Sequence, residues 1–396
     1  NQIHGSVYEL HRDAALDAAN FFENLHGVPK APFVWNEFGG TIGGPISIPH
    51  VYDGRNRTFF FAGYDGSRLR LGTTLNGVAP TSTQIATATA LVQGQGITPN
   101  QLGLNILGLY SNLGLSGPFA IDNRGLQTPN SGVLKIDHSI STSDSLSARY
   151  LHGNGEDEFP GGGPGPGGGS QLSPWFGVTP TVADNFAISE VHIFNPALIN
   201  TLRLGWNRFS QFQKGRDSNV NPSTIGFNTG VTPISYGIPE VDTYGFANLG
   251  LQYGAGGRVA TSYQIADEVN WTHSAHAWKF GFNFLHNYSN YTLAGGRGIF
   301  SFTGSQLGDQ LNQSGAMASL VDLIAGLPTP GNGLTQITRV GSPRANISQN
   351  IISGFAIDTF KVNPRLTLIA GIRYDFFTTV NDCLLYTSDA ADDLTR

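Results

Sequence analysis

The feature that most constrains this chain is the period-two alternation through residues 353–377, SGFAIDTFKVNPRLTLIAGIRYDFF. In its second half Leu366, Leu368, Ala370, Ile372, Tyr374 and Phe376 share one parity. Arg365, Thr367, Gly371, Arg373 and Asp375 share the other, with Ile369 the exception. Successive side chains of a β-strand point to opposite faces, so each set occupies its own side. Between the halves, Lys361-Val362-Asn363-Pro364 supplies Asn and Pro, which interrupt a ladder and favour a bend. The stretch predicts two strands joined by a tight turn. One face is apolar and ends in aromatics; the other carries charge and Gly. A strand with lipid on one side and a wet lumen on the other has this requirement.

The same unit recurs. Segments 132–138 and 145–152 turn at residues 139–144, with Leu146, Ala148 and Tyr150 alternating with Ser145, Ser147 and Arg149. Segments 184–194 and 198–209 turn at Asn195-Pro196, and Leu202, Leu204 and Trp206 alternate with Arg203, Gly205 and Asn207. In 184–194, Glu190 and His192 share the parity of Phe186 and Ile188, which leaves its faces unassigned. Segments 262–271 and 277–291 turn at His273-Ser274-Ala275-His276. There Trp278, Phe280, Phe282 and Phe284 oppose Lys279, Gly281 and Asn283. Residues 2–10, 35–48 and 56–68 read as further strands. The glycines of 35–48 mark a strongly curved strand where side chains would collide. Helical patches are expected at 14–22, 102–113 and 316–324.

About four turns of roughly three to six residues alternate with excursions of roughly 25 to 60 residues. Short turns at one end and long loops at the other are the arrangement of outer-membrane barrels. The reading is all-β: an antiparallel transmembrane β-barrel, of which this chain supplies about eleven strands. An odd, open set does not close a bacterial single-chain barrel, and the chain begins at Asn1 with Met317 its only Met, so a fragment is expected.

Charged residues are 13% of the chain against about 25% in soluble domains, and 52 glycines suit a β-chain with long loops. No run of about 18 apolar residues offers a helical span, which leaves strands of about ten residues unaffected. A net charge of −6 without a basic block argues against nucleic acid. No catalytic constellation stands out. Glu156, Asp157 and Glu158 are expected in a solvated Gly-rich loop. His273 and His276 have metal-like spacing, but in a tight turn and with no third ligand nearby. The Gly161–Gly169 run lacks the Lys-Ser/Thr ending of a phosphate loop and reads as a flexible linker. There is no Gly-x-Ser-x-Gly elbow, and the single Cys is Cys383. No enzyme, cofactor or metal site is expected. The aromatic stripe Trp278/Phe280/Phe282/Phe284 also fits the inner face of a soluble β-sandwich, so a binding module or adhesin stays open. Such a module would be soluble, whereas an open half-barrel would aggregate without detergent.

Several stretches, in order, resemble the Oar-like group of TonB-dependent outer-membrane transporters. Residues 1–10, NQIHGSVYEL, are similar to the junction where the family's plug ends and its barrel begins, through Asn1, His4, Gly5 and Ser6. Residues 36–46, NEFGGTIGGPI, resemble its glycine-rich strand through Gly39, Gly40, Gly43, Gly44 and Pro45. Residues 57–66, RTFFFAGYDG, resemble the following strand through Phe59, Phe60 and Phe61. The patch 323–328, LIAGLP, and the opening hairpin, through Pro364, Arg365, Gly371, Arg373 and Tyr374, complete the set. The hairpin departs at Ile357-Asp358-Thr359-Phe360, where the family has Gln-Asp-Asp-Trp.

The resemblance implies a barrel of roughly 22 strands around a plug, with residues 1–381 the N-terminal part of the barrel and the plug upstream. It implies import of a scarce solute across the outer membrane, with energy from the TonB complex acting through the plug. Lipid would meet Trp206, Trp278, Phe280, Phe282, Phe284, Tyr374 and Phe376. Arg203, Lys279 and Arg373 would face the lumen and touch the plug. Specificity would lie in loops 69–128, 154–181, 214–258 and 292–349; the solute is not legible, and a passive porin is the remaining transport alternative. Residues 382–396 are set apart: CLLYTSDAAD resembles a translated sequencing adapter, so this tail is expected to be non-native.

Overall fold

The period-two segments enter one antiparallel sheet of thirteen strands. In this computed structural model, residues 2–19, 21, 30, 32–159, 169–292, 295–330 and 344–382 are described. The strands are β1 (His4–Asp13), β2 (Phe33–Pro45), β3 (Thr58–Ala79), β4 (Gly117–Gln127), β5 (Asn130–Ser139), β6 (Asp144–Phe159) and β7 (Gly177–Asn195). They continue with β8 (Leu198–Gly215), β9 (Gly256–His273), β10 (His276–Thr292), β11 (Arg344–Asn363), β12 (Leu366–Phe377) and β13 (Asn381–Asp382). Each pairs with its neighbour in chain order. The exceptions are two interrupted strands. β5 lies along the first part of β3 and β4 along the rest, parted at Thr128-Pro129, where proline lacks a ladder donor. β13 continues β12 along β11. The thirteen strands therefore fill eleven positions, as the alternation indicates.

The strands are longer than the sequence suggests. Residues 69–79 and 117–127, expected in a loop, extend β3 and form β4. Glu156, Asp157 and Glu158 are also not in a solvated loop. They end β6, and Glu158 is buried and ion-paired with Arg216. The 22 residues of β3 measure roughly 70 Å at about 3.3 Å per residue, far beyond a hydrocarbon band about 25 Å tall. Within the expected helix at 14–22, Ala14–Leu16 form a 3-10 turn capped by the Asp13 carboxylate and Phe21 is helical; residues 20 and 22–29 lie outside the described residues. Much of the Gly161–Gly169 run, at 160–168, and the tail 383–396 lie outside them too.

Register sets the faces. One row of directly opposed residues runs Phe60, Ile136, Ala148, Ile188, Leu204, Ile265, Phe284, Ile352 and Phe376, apolar across nine positions. The adjacent row on the other face runs Phe59, Asp137, Ser147, Ser189, Arg203, Ala266, Asn283, Ser353 and Asp375, polar at seven of nine positions. Trp206, Trp278, Phe280, Phe282, Phe284, Tyr374 and Phe376 all lie on the apolar face. The strand left unassigned also resolves, because Glu190 and His192 fall on that same face, close to its tight turn.

Among the described residues, nothing packs as a second layer on the sheet. The buried hydrophobic core is gathered among the excursions at one end of the strands. Among the described residues, four helices lie there: α1 (Ser82–Gly94), α2 (Gln101–Asn112), α3 (Leu307–Gln310) and α4 (Gly315–Ala325). A short parallel pair, Glu240–Thr243 with Ile299–Phe302, joins them. The other end has two-residue hairpin loops such as Ser274-Ala275.

Candidate functional site: a packed loop dome and a polar wall

The excursions form a dome with a core of its own. α1 starts at a capping box. The Gln84 amide donates to Thr81 Oγ1 at 3.2 Å, and the Thr81 amide donates to Gln84 Oε1 at 2.9 Å. α2 is capped by Asn100, whose side chain accepts from the Gly103 amide. Val92 of α1, Ile106 and Tyr110 of α2, and Leu320, Val321 and Ile324 of α4 are buried together, with Val241, Leu249 and Phe302 from the other excursions. Cross-links are polar and long-range. Tyr110 Oη donates to the Ala247 carbonyl at 2.5 Å, Asn105 to the Ile225 carbonyl at 3.0 Å, and Asn123 to the Gln171 carbonyl at 2.6 Å.

Ionisable groups are buried in this dome. Arg297 Nη1 donates to Asp217 Oδ1 at 2.8 Å, with the two side chains 0% and 7% exposed. Asp217 Oδ2 also accepts from the Ile238 amide at 2.8 Å. The guanidinium lies flat against Gly237, whose φ is 121°; a Cβ there would sit 2.1 Å from Arg297 Cζ. The pair thus holds the end of β8, the segment at Gly237-Ile238 and the segment before Ile299 in one place. Burial pushes the Asp217 carboxyl up and the Arg297 guanidinium down from their ordinary values, with mutual attraction opposing both. Asp322 in α4 is fully buried and accepts from the Gln306 and Gly308 amides at 3.0 and 2.8 Å, joining α4 to α3. Its carboxyl and that of Glu240 are also raised by burial.

The polar face of the wall carries Arg203, Lys279 and Arg373. Lys279 Nζ is 3.0 Å from Glu268 Oε2, and Arg373 makes two bonds to Asp375, at 2.7 and 2.9 Å. The family-like positions separate into two groups. His4, Gly5 and Ser6 in β1 lie opposite Gly43, Ile42 and Thr41, while Gly43, Gly44 and Pro45 lie opposite Phe61, Phe60 and Phe59. These three stretches therefore form one continuous corner. At Gly39 the missing side chain lets Tyr8 cross β2 to hydrogen-bond Asp65; a Cβ there would be 2.7 Å from the Tyr8 hydroxyl. Pro364 and Arg365 in the last hairpin turn, and Gly371, Arg373 and Tyr374 in β12, sit at the opposite edge of the sheet. Asn1 lies outside the described residues.

His273 and His276 face each other across their turn. His276 Nδ1 is 2.6 Å from Asp358 and its ring stacks on Phe360, while His273 stacks on Trp271. Asp217 and Arg297, 80 residues apart, carry no local signal that sequence reading could have used.

The model of the outer membrane beta barrel domain matches residues 1–384. Among solved structures, the outer membrane transporter YddB from Escherichia coli aligns with a TM-score of 0.54 at 10% identity, over 96% of this chain and 40% of that one. The ferric-catecholate import receptor Fiu from Escherichia coli, closed form, aligns with a TM-score of 0.46 at 12% identity, over 96% and 42%. The siderophore receptor PirA from Pseudomonas aeruginosa aligns at 0.41 and 8%, over 96% and 39%. The chain spans about two-fifths of the length of these proteins. A search of curated proteins finds no match. A family match over nearly the whole length, on a wall apolar on one face and polar on the other, means that this chain belongs to the outer membrane beta barrel domain family and resides in the outer membrane.

Proposed function

We propose that this chain is part of a TonB-dependent transporter that captures a scarce solute outside the cell and imports it with energy from the TonB complex. The observation that carries the reading is the pair of adjacent rows, one apolar across nine positions and one polar at seven of nine. In a membrane barrel the first meets lipid and the second the lumen. Residues 1–381 supply the N-terminal part of the barrel, and the upstream plug fills its lumen. Arg203, Lys279 and Arg373 meet that plug; Arg203 makes no ion pair among the described residues. The packed dome supports a receptor rather than an open pore, because its ordered, buried polar groups present a fixed outer surface for recognition. The match to an outer membrane transporter supports the fold of this reading.

The test is uptake by the complete parent protein in outer-membrane-bearing cells, with labelled ferric siderophores, oligosaccharides and peptides as the panel. Saturable uptake of one class that is lost on removal of TonB or on collapse of the proton gradient is the expected result. Uptake that persists without TonB makes the parent a passive pore and overturns the proposal.

A further inference from the structure

The apolar face changes character near the tight turns. Asp144 opens β6, and Glu190 and His192 lie near the end of β7, all on this face. One ligand atom from each of the three lies within 4.8 Å of the others. Register brings them together: Asp144 is directly opposite His192, and Glu190 sits one row deeper between Leu146 and Leu202. His192 Nδ1 is 2.5 Å from Asp144 Oδ1, and the Ser141 hydroxyl donates to Asp144 Oδ2 at 2.5 Å.

Three other carboxylates on the same face have side-chain partners. Asp184 accepts from Tyr150 Oη at 2.6 Å, Asp267 accepts from Asn200 at 2.7 Å, and Asp358 lies 2.6 Å from His276 Nδ1. Glu190 has no hydrogen-bond or ion-pair partner among the described residues. A carboxylate on the lipid-facing side of a wall is unfavourable without a partner, and Glu190 lies beside the Asp144–His192 pair without one.

We propose that Asp144, Glu190 and His192 form a binding site for a divalent metal ion of the zinc type. A dication balances the two carboxylates and gives Glu190 its missing partner. The imidazole favours zinc over magnesium or calcium, which prefer all-oxygen shells. Three protein ligands with water in a fourth position are a familiar zinc arrangement, and the Ser141 hydroxyl would orient Asp144 from outside it. The site clamps the β5–β6 turn to the end of β7 at the edge of the lipid band. The inference takes from the transporter reading only that the apolar face meets lipid, and solute uptake does not test it.

The experiment titrates the complete chain, refolded in detergent micelles, with zinc alone by calorimetry, and with cobalt(II) by visible absorption. The expected result is one ion per chain and the visible bands of low-coordinate cobalt. Glu190→Gln should weaken binding about tenfold or more, and His192→Asn should abolish the cobalt bands. His276→Asn should leave both unchanged. Glu190→Gln keeps the side chain's shape and removes a charge, so it does not threaten folding. Unchanged zinc affinity in Glu190→Gln overturns the site. Absence of stoichiometric binding by the unaltered chain overturns it without any variant.

Discussion

The wall and the dome solve the same problem, satisfying a long backbone, by opposite means. The wall is one sheet. Its backbone groups pair strand to strand, and its apolar side chains remain on the surface; Ile372 and Tyr374 are 74% and 69% exposed. Only a surrounding apolar solvent makes that surface favourable. The dome buries its apolar side chains against one another and holds buried charge where Arg297 meets Asp217, where backbone amides meet Asp322 and where the Asn248 amide meets Glu240. It obeys the rules of a water-soluble domain. One chain therefore carries two stability regimes, divided where the strands leave the lipid.

The sharpest way to break this division is Arg297→Ala. It leaves Asp217 buried without its ion partner, a loss of about 3–5 kcal/mol. Hydrogen exchange should show dome amides opening more than 100-fold more often, with β9–β11 protection in the wall unchanged. Equal loss in both regions would mean they unfold as one unit.

The second test sits within the wall. Phe282→Lys places a cation on the apolar face at a cost of about 2–4 kcal/mol, and Asn283→Lys, one residue on, costs less than about 1. Urea titration of the barrel in lipid vesicles distinguishes them, and similar costs would overturn the assignment of faces. A smaller effect is expected at the start of α1, where Thr81→Ala removes half of a capping box, about 1 kcal/mol. Protection should fall in α1 and stay constant in β7.

The smallest effect is a pH trend confined to the dome. Burial raises the carboxyls of Asp217, Glu240 and Asp322, so the folded dome holds protons that the opened dome has released. Stability then falls as pH rises from the ordinary carboxylate range through the raised values, and lowering pH from 7 to 5 should make dome opening rarer. Exchange rates corrected for intrinsic chemistry test the sign, and more frequent opening at pH 5 would contradict it.

The two regions also differ in legibility. The wall was readable because lipid and lumen force Trp278, Phe280, Phe282 and Phe284 to alternate with Lys279 and Asn283 within a few residues. Helices α2 and α4 were readable from apolar runs. α1 was not: Ala86-Thr87-Ala88-Thr89-Ala90 mimics a strand's alternation, although Thr81 and Gln84 carried a capping signal. The parts of β3 and β4 beyond the lipid band were missed because nothing outside it imposes an apolar face. The dome's polar links, such as Tyr110 to Ala247, join distant segments that no local pattern connects. The cluster of Asp144, Glu190 and His192 left one trace, the broken alternation at Glu190 and His192, which register explains.

The length of β3 has an electrostatic consequence. Tilted at about 45°, its roughly 70 Å reach rises about 50 Å, which leaves about 25 Å of ladder beyond the hydrocarbon. At physiological ionic strength the screening length is about 8 Å, and the headgroups take up about 6 Å of that height, so the far end of this hairpin stands roughly two screening lengths from the charged membrane surface. A charged molecule arriving there feels the field of the protein and almost none of the field of the membrane.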